Sequence, residues 1–353
     1  MASPHPFIRA FLQAVLLACP AIALLPAGAS VMRSTAEHAS VPAADAQYQR
    51  LIDATNAVVG VKVKALPNAR SNETLGRDRQ GSGVLIGDDG LVLTIGYLIT
   101  EADQVEVTGS GGATIPATVV AYDHATGFGL VRPMGRLAEK PIRIGASAPI
   151  SQLDRLMIVT GGAEQTVSIA TVVARRKFAG YWEYLIDGAI FTSPPRLDHS
   201  GAALINKDGE LVGVGSLFVM DAITPGERMP GNMFVPVDLL KPVLDEMVRT
   251  GAQPAAHRPW LGVNSLEEDG RVKVMQVNEE SPAEEAGIVA GDIILSVNGE
   301  AVESLEKFYG TLWGRGAQAG TEVDLTVLHG PTLREVKVRS IDRQDFMRRK
   351  PGI

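Results

Sequence analysis

The sequence predicts a mainly β protein of two domains, on three observations. Short β-branched runs alternate with Gly, Asp and Asn turns through most of the chain. These runs fall into two comparable groups, which suggests two packed barrels or sandwiches. Beyond residue 257 the pattern changes to strands interleaved with two helical stripes, the pattern of a small mixed module. A length of 353 residues with 45% hydrophobic side chains is ample for two such cores.

The chain opens with Arg9, then an apolar run from Ala10 to Leu25 broken by Gln13 and Pro20, then Ala27-Gly28-Ala29 ahead of Ser30. This reads as a signal peptide over 1–29, cleaved after Ala29, and implies export. An uncleaved anchor is the competing reading, but the stretch is short for a span. Cys19, the sole cysteine, follows Leu16-Leu17-Ala18 and gives a minor alternative, a lipoprotein anchor. Against it, Ile22 to Leu25 continue the apolar run where a polar linker is expected. Cleavage after Ala29 removes the only thiol, and with it disulfides and thiolate metal sites.

Residues 30–47, rich in Ala, Ser and Pro, are expected to be a mobile lead-in to a domain over 48–251. Its first strands are expected at 58–63, 83–86, 91–94, 105–108 and 117–122, with Asp88-Asp89-Gly90 as a hairpin turn. A second set covers 156–160, 166–174, 184–186, 202–205 and 211–214, with the turn Lys207-Asp208-Gly209. Leu240, Val243, Leu244, Met247 and Val248 then recur at helical spacing, with Pro242 in the first turn and Gly251 past the end.

Residues 252–257, containing Gln253-Pro254-Ala255-Ala256, read as a linker to a module over 258–343. In it, Ser281-Pro282-Ala283-Glu284-Glu285-Ala286-Gly287 spells a short helix with a serine cap, an early proline and an exit glycine. Strands are expected at 292–297, ending in the Asn298-Gly299 turn, and at 323–328 and 335–338. Leu305, Phe308, Tyr309 and Leu312 form the apolar stripe of a helix opening at Ser304. The basic tail over 344–353, with Arg348-Arg349-Lys350, reads as a frayed terminus.

The formal net charge of −7 is spread without long blocks, which argues against nucleic acid as a partner. No two histidines sit at metal-ligand spacing, and neither a metal nor a cofactor is expected.

Several stretches now resemble one family. Gly81-Ser82-Gly83-Val84-Leu85-Ile86, Gly90 to Thr94, Ala117 to Asp123, Ser200-Gly201, Leu204 to Val214 and Phe234-Val235-Pro236 are similar to the HtrA/Deg family of exported trypsin-like proteases. The C-terminal match is the more specific, carried by Trp260-Leu261-Gly262-Val263, Ser281-Pro282-Ala283, Ala286-Gly287 and Gly291 to Gly299. The resemblance implies a trypsin-like double β-barrel followed by a PDZ domain, a periplasmic or otherwise exported location, and assembly as a homo-trimer or with active relatives.

The triad pattern departs from that family. Where the family has a histidine in a run like Thr-Asn-x-His-Val, Thr94-Ile95-Gly96-Tyr97-Leu98 places Tyr97. The family aspartate position holds Gly127, in Thr126-Gly127-Phe128-Gly129. Ser200 keeps the nucleophile position, but Asp198 stands where the family has a glycine. In the family that residue's N–H pairs with the Ser200 N–H as oxyanion hole. Asp198 either faces the hole, opposing developing negative charge, or turns to solvent.

A serine hydroxyl needs a base, and a phenol of pKa about 10 is a donor at neutral pH. Other bases to weigh are His199, adjacent but in a tight loop, and Lys207 in a serine–lysine arrangement. His124 reads as a surface turn residue. The expectation is therefore an HtrA-like pseudoprotease that binds peptide C-termini or unfolded polypeptide, as chaperone, adaptor or regulator. The alternative is an active endopeptidase using Ser200 with another base. For binding, the resemblance implies strand addition beside Trp260, Leu261, Gly262 and Val263, whose N–H groups hold the terminal carboxylate. The stripe Leu305, Phe308, Tyr309 and Leu312 either lines that groove in part or faces the core.

Overall fold

The structure, a computed structural model, describes residues 41–348 except 163, 252–256 and 315. The leader with Cys19, nearly all of the expected linker and the end of the basic tail lie outside the described residues.

Helix α1 (Val41–Asn56) opens the fold and corrects the expected lead-in, which overlaps it. Pro42 stands in its first turn, where a missing N–H costs nothing, and Leu51 and Ala54 bury against the barrel.

Strands β1 (Val58–Ala65), β2 (Asp78–Leu85), β3 (Val92–Ile95), β4 (Ala102–Thr108), β5 (Thr114–Tyr122) and β6 (Phe128–Pro133) close a barrel in the order β1-β2-β3-β6-β5-β4. The Asp88-Asp89-Gly90 turn sets the antiparallel register Val84↔Leu93, and its glycine takes φ 84°. Two short helices, α2 (Asn72–Leu75) and α3 (Gly96–Ile99), interrupt these strands.

After β7 (Arg143–Ile144) come β8 (Arg155–Thr160), β9 (Thr166–Gly180), β10 (Tyr184–Ser193), β11 (Ala203–Ile205), β12 (Glu210–Val219) and β13 (Gly231–Pro236). They run β11-β8-β9-β10-β13-β12, and a β11–β12 pairing closes the second barrel. Phe128, Phe191, Phe234 and Met157 are fully buried, each worth about 1.5–3 kcal/mol of transfer free energy.

Helix α4 (Leu244–Thr250) ends at Gly251, whose φ of 77° gives the left-handed cap. It is shorter than expected: Pro242 precedes it, and Val248 faces solvent while Met247 is buried.

The C-terminal domain is a sheet ordered β14-β15-β16-β18-β19: β14 (Val263–Glu268), β15 (Arg271–Val277), β16 (Ile293–Val297), β18 (Glu322–His329) and β19 (Thr332–Arg339). β17 (Glu300–Ala301) pairs with β16 across Asn298-Gly299, whose φ values of 49° and 80° suit a tight hairpin. Helices α5 (Pro282–Glu285) and α6 (Leu305–Leu312) start at their serines: Ser281 Oγ accepts from Glu284 N at 3.3 Å, and Ser304 Oγ from Lys307 N at 3.0 Å.

The basic tail is not frayed through Arg348. Helix α7 (Arg343–Phe346) lays the Phe346 ring 4.5 Å from Trp260 and 4.0 Å beneath the Arg70 guanidinium. Arg348 N donates to the Glu101 carboxylate at 2.7 Å, which ties the C-terminal domain to the first barrel. Among the described residues no helix is long and apolar enough to cross a membrane.

Candidate functional site

The short helix α3 sets Tyr97 at the mouth of the first barrel. Buried Arg79 donates to the carbonyls of Tyr97 and Thr100 at 3.0 and 2.8 Å, fixing that turn. Gly96 N donates to Gly127 O at 2.6 Å, so the turns carrying Tyr97 and Gly127 are neighbours. From the second barrel Ser200 is held against the first by Ser82 N, which donates to its carbonyl at 2.8 Å.

The structure thus brings Ser200, Tyr97 and Gly127 together, and the chemistry of the group is neutral. Tyr97 Oη is hydrogen-bonded both to Ser200 Oγ at 2.7 Å and to the Ser216 carbonyl at 2.8 Å. A phenol has one proton and a carbonyl can only accept, so with both bonds made the serine hydroxyl donates to the phenol oxygen. Burial pushes the Tyr97 phenol well above its ordinary pKa. It is a neutral group across the physiological range and cannot take the serine proton.

Gly127 sits at φ 79°, and a Cβ there would stand 2.6 Å from Tyr184 Oη. That hydroxyl donates to Thr126 O at 2.8 Å. The tyrosine therefore fills the space a carboxylate side chain at position 127 would need, and sequence reasoning, which read Gly127 alone, missed it.

The Asp198 side chain is half exposed and paired. Its carboxylate turns to Arg196, with Nε 2.8 Å and Nη2 2.5 Å away, and to Thr166 Oγ1 at 3.3 Å. Burial raises its pKa, but the Arg196 bonds and charge outweigh that and hold it below the usual range. His199 Nδ1 is 3.1 Å from the Arg196 carbonyl and must donate to it, and burial lowers the imidazole pKa. Lys207 is at the β11–β12 turn, its carbonyl bound to Gln47 of α1.

His124 stands in the turn after β5, as expected, but is only partly exposed. Its ring lies 4.1 Å from Tyr122, Nδ1 has no hydrogen-bond partner, and burial, then Arg343, push its pKa down to about 3. It lines an interdomain cavity of about 630 Å³ together with Tyr97, Gly127, Tyr184, Asn264 and Gln276.

The second group of expected site residues is in the C-terminal domain. Gly262 has φ 89°, and a Cβ would meet Ser281 Cβ at 2.3 Å, so only glycine fits. The N–H groups of Leu261, Gly262 and Val263 converge as expected for an anion cradle. They point at the Glu183 carboxylate, from the turn between β9 and β10, at 3.1, 2.7 and 3.0 Å. Trp260 is bridged to Ile341 and buried. Leu305, Phe308, Tyr309 and Leu312 are all buried in the domain core, with Ala179 and Leu185 of the β9–β10 hairpin packed on the same cluster. Tyr309 also bonds to that hairpin, its hydroxyl donating to Gly180 O at 2.7 Å and accepting from Glu183 N at 3.2 Å.

Residues 81–214 match the Trypsin-like peptidase domain family, and 259–339 match the PDZ domain family. The chain is 28% identical over 326 residues to serine protease PepD of Mycobacterium tuberculosis, covering 85% of this chain and 67% of that one. It is 30% identical over 260 residues to serine endoprotease DegS of Haemophilus influenzae, covering 70% and 74%. A probable periplasmic serine endoprotease DegP-like of Pseudomonas putida is 27% identical over 262 residues, 69% of this chain but 52% of that one. The chain thus spans about half the length of that relative. Among solved structures, the HtrA-type protease AlgW with a tripeptide superposes with TM-score 0.51 at 21% identity, over 86% of this chain and 98% of that one. The serine endoprotease from Yersinia pestis gives 0.51 at 24% identity, over 84% and 97%. With a trypsin-like double barrel, a PDZ domain and these relatives, the chain belongs to the HtrA family.

Proposed function

We propose that this chain is a proteolytically silent member of the HtrA family that binds polypeptide C-termini or unfolded segments through its PDZ domain. The observation that carries the reading is the partner of Ser200 Oγ, a buried phenol 2.7 Å away where the family mechanism requires imidazole. Loss of base and orienting carboxylate together lowers the rate by a factor on the order of 10⁴ to 10⁶. Peptide binding needs no titrating nucleophile, only backbone donors and a groove. The cradle at Leu261, Gly262 and Val263 supports it, as does the tripeptide named with AlgW.

Export to the cell envelope belongs to the same proposal, supported by relatives named as periplasmic and by the leader-like 1–29. Assembly with itself or with active relatives is part of it too. A fluorophosphonate probe tests the central claim. The full chain is expected to be labelled no faster than its Ser200→Ala variant, and to leave unfolded casein intact. Labelling and cleavage that both vanish in Ser200→Ala establish instead an endopeptidase with a non-standard base.

A further inference from the structure

Glu183 stands at the tip of the β9–β10 hairpin in a conformation that glutamate rarely adopts, φ 56°. Its side chain leaves the barrel domain and enters the PDZ domain, where the residue is only 3% exposed. Oε1 accepts from Gly262 N and Val263 N at 2.7 and 3.0 Å, and Oε2 from Leu261 N at 3.1 Å. These are the successive N–H groups that a terminal carboxylate would use.

The rest of the turn also lies where an added strand would. Tyr181 O accepts from Ser265 N of β14 at 2.8 Å, and Gly180 O accepts from the Tyr309 hydroxyl of α6 at 2.7 Å. Residues 180–183 therefore occupy the groove between β14 and α6. Arg343 of α7 donates to Trp182 O at 3.1 Å and closes the far side.

We propose that Glu183 is an internal mimic of a chain-terminal carboxylate, so that the PDZ groove is self-occupied and opens only to a polypeptide whose free C-terminal carboxylate displaces it. The inference rests on the reading that this PDZ domain binds polypeptide ends. A second physical fact supports it: burial, opposed by the three N–H donors and Arg343, pushes the Glu183 carboxyl up to about 7. The cradle repays only part of the desolvation of this charge, which leaves the latch displaceable near neutrality. A Lys177–Glu306 pair at 2.7 Å, half exposed, adds little further holding.

The test uses the full chain, its Glu183→Ala, Glu183→Gln and Tyr309→Phe variants, and short fluorescein-labelled peptides ending in Leu, Val or Phe. Each peptide is made as the free acid and as the amide. Amide hydrogen exchange at residues 261–263 reports the latch without any ligand. Losing charge-assisted bonds in Glu183→Ala is expected to speed that exchange and tighten free-acid binding by at least about tenfold. The amides are expected to gain nothing. Glu183→Gln keeps only one acceptor oxygen and turns an amide NH2 toward the third donor, so it is expected between wild type and Glu183→Ala, as is Tyr309→Phe, which keeps the ring in the core. Exchange unchanged in both Glu183→Ala and Tyr309→Phe overturns the latch, as does equal free-acid affinity in wild type and Glu183→Ala. Faster exchange with no free-acid binding by any variant refutes the peptide-binding reading itself, and the competition with it.

Discussion

Tyr97→Phe separates a phenol that blocks Ser200 from one that activates it. The substitution removes one oxygen and keeps the ring, so the barrel mouth gains no larger cavity. It deletes the contacts at 2.7 Å to Ser200 Oγ and 2.8 Å to the Ser216 carbonyl, both part-buried. A polar group left unpaired by such a deletion costs about 1–3 kcal/mol. For a domain of this size that lowers the melting transition by about 2–4 °C per kcal/mol, readable in a thermal scan with the PDZ transition as internal reference. Reactivity should move the other way or not at all. A general base contributes about 10² to 10⁴ to the step it serves, so a basic Tyr97 would cost that factor in fluorophosphonate labelling when removed. A donor or acceptor that merely satisfies the serine costs nothing. Labelling measured by intact mass over long incubation is therefore expected to be unchanged or slightly faster. Wild-type labelling above the Ser200→Ala background that Tyr97→Phe abolishes would refute the assignment of Tyr97 as a neutral partner. A thermal midpoint equal to wild type would refute the hydrogen bonds.

Two further predictions follow. The triple change Tyr97→His, Gly127→Asp and Asp198→Gly is expected to stay within about tenfold of wild-type labelling, because any Cβ at 127 meets Tyr184 Oη at 2.6 Å with the backbone at φ 79°. Adding Tyr184→Phe removes that oxygen and should raise labelling by a further factor of about 10² or more; full activity from the triple alone would show the hydroxyl is no obstacle. For pH, the docked Glu183 pKa of about 7 lies above the unperturbed value of about 4.3, so docking is fully present below that lower value. It weakens as pH rises through about 7, by at most on the order of 3 kcal/mol. The other groups facing it are the side chains of Arg343 and Arg258, Tyr309, whose phenol burial pushes well above its ordinary range, and His124, whose imidazole burial pushes down to about 3. Exchange at 261–263, corrected for intrinsic rate, should therefore be faster at pH 8 than at pH 5.5, and flat in Glu183→Gln. The opposite slope in wild type sinks this.

What could be read from the sequence was local. Turn residues fixed the hairpins at Asp88-Asp89-Gly90 and Asn298-Gly299, and serine caps placed α5 and α6, because each signal and its structural effect lie within a few residues. The trypsin-like and PDZ organisation followed from motif resemblance, and the Tyr97 hydroxyl lies against Ser200 Oγ. Helix α1 escaped because Pro42, Ala43 and Ala44 resemble a linker, although Leu51 and Ala54 further along are buried. Tyr184 and Glu183 escaped for another reason. Glu183 falls between two expected strands and Tyr184 opens the second, and the partners that give them meaning are at Gly127 and at Leu261 to Val263, far away in sequence. The docked tail was hidden in the same way, since Phe346 acquires its role only from Trp260 and Arg70.

On the proposed reading, the pairing of a tyrosine with a glycine at the positions expected for histidine and aspartate has an electrostatic logic of its own. Removing imidazole alone would leave a carboxylate unpaired at the barrel junction, and an uncompensated buried charge costs about 3–5 kcal/mol. Here both positions are neutral, and the vacated space is taken by Tyr97 and Tyr184, whose hydroxyls find carbonyl acceptors on Ser216 and Thr126. The cleft at these two positions thus holds no charged side chain to leave unpaired. Glu183 obeys the same rule from the other side: a carboxylate persists in the junction with the PDZ domain because three backbone N–H groups meet it there. A group that gives those donors a better partner, such as a chain terminus carrying its own strand of hydrogen bonds, removes the reason for Glu183 to stay buried. Its pKa then falls toward the ordinary carboxylate range as the hairpin reaches water.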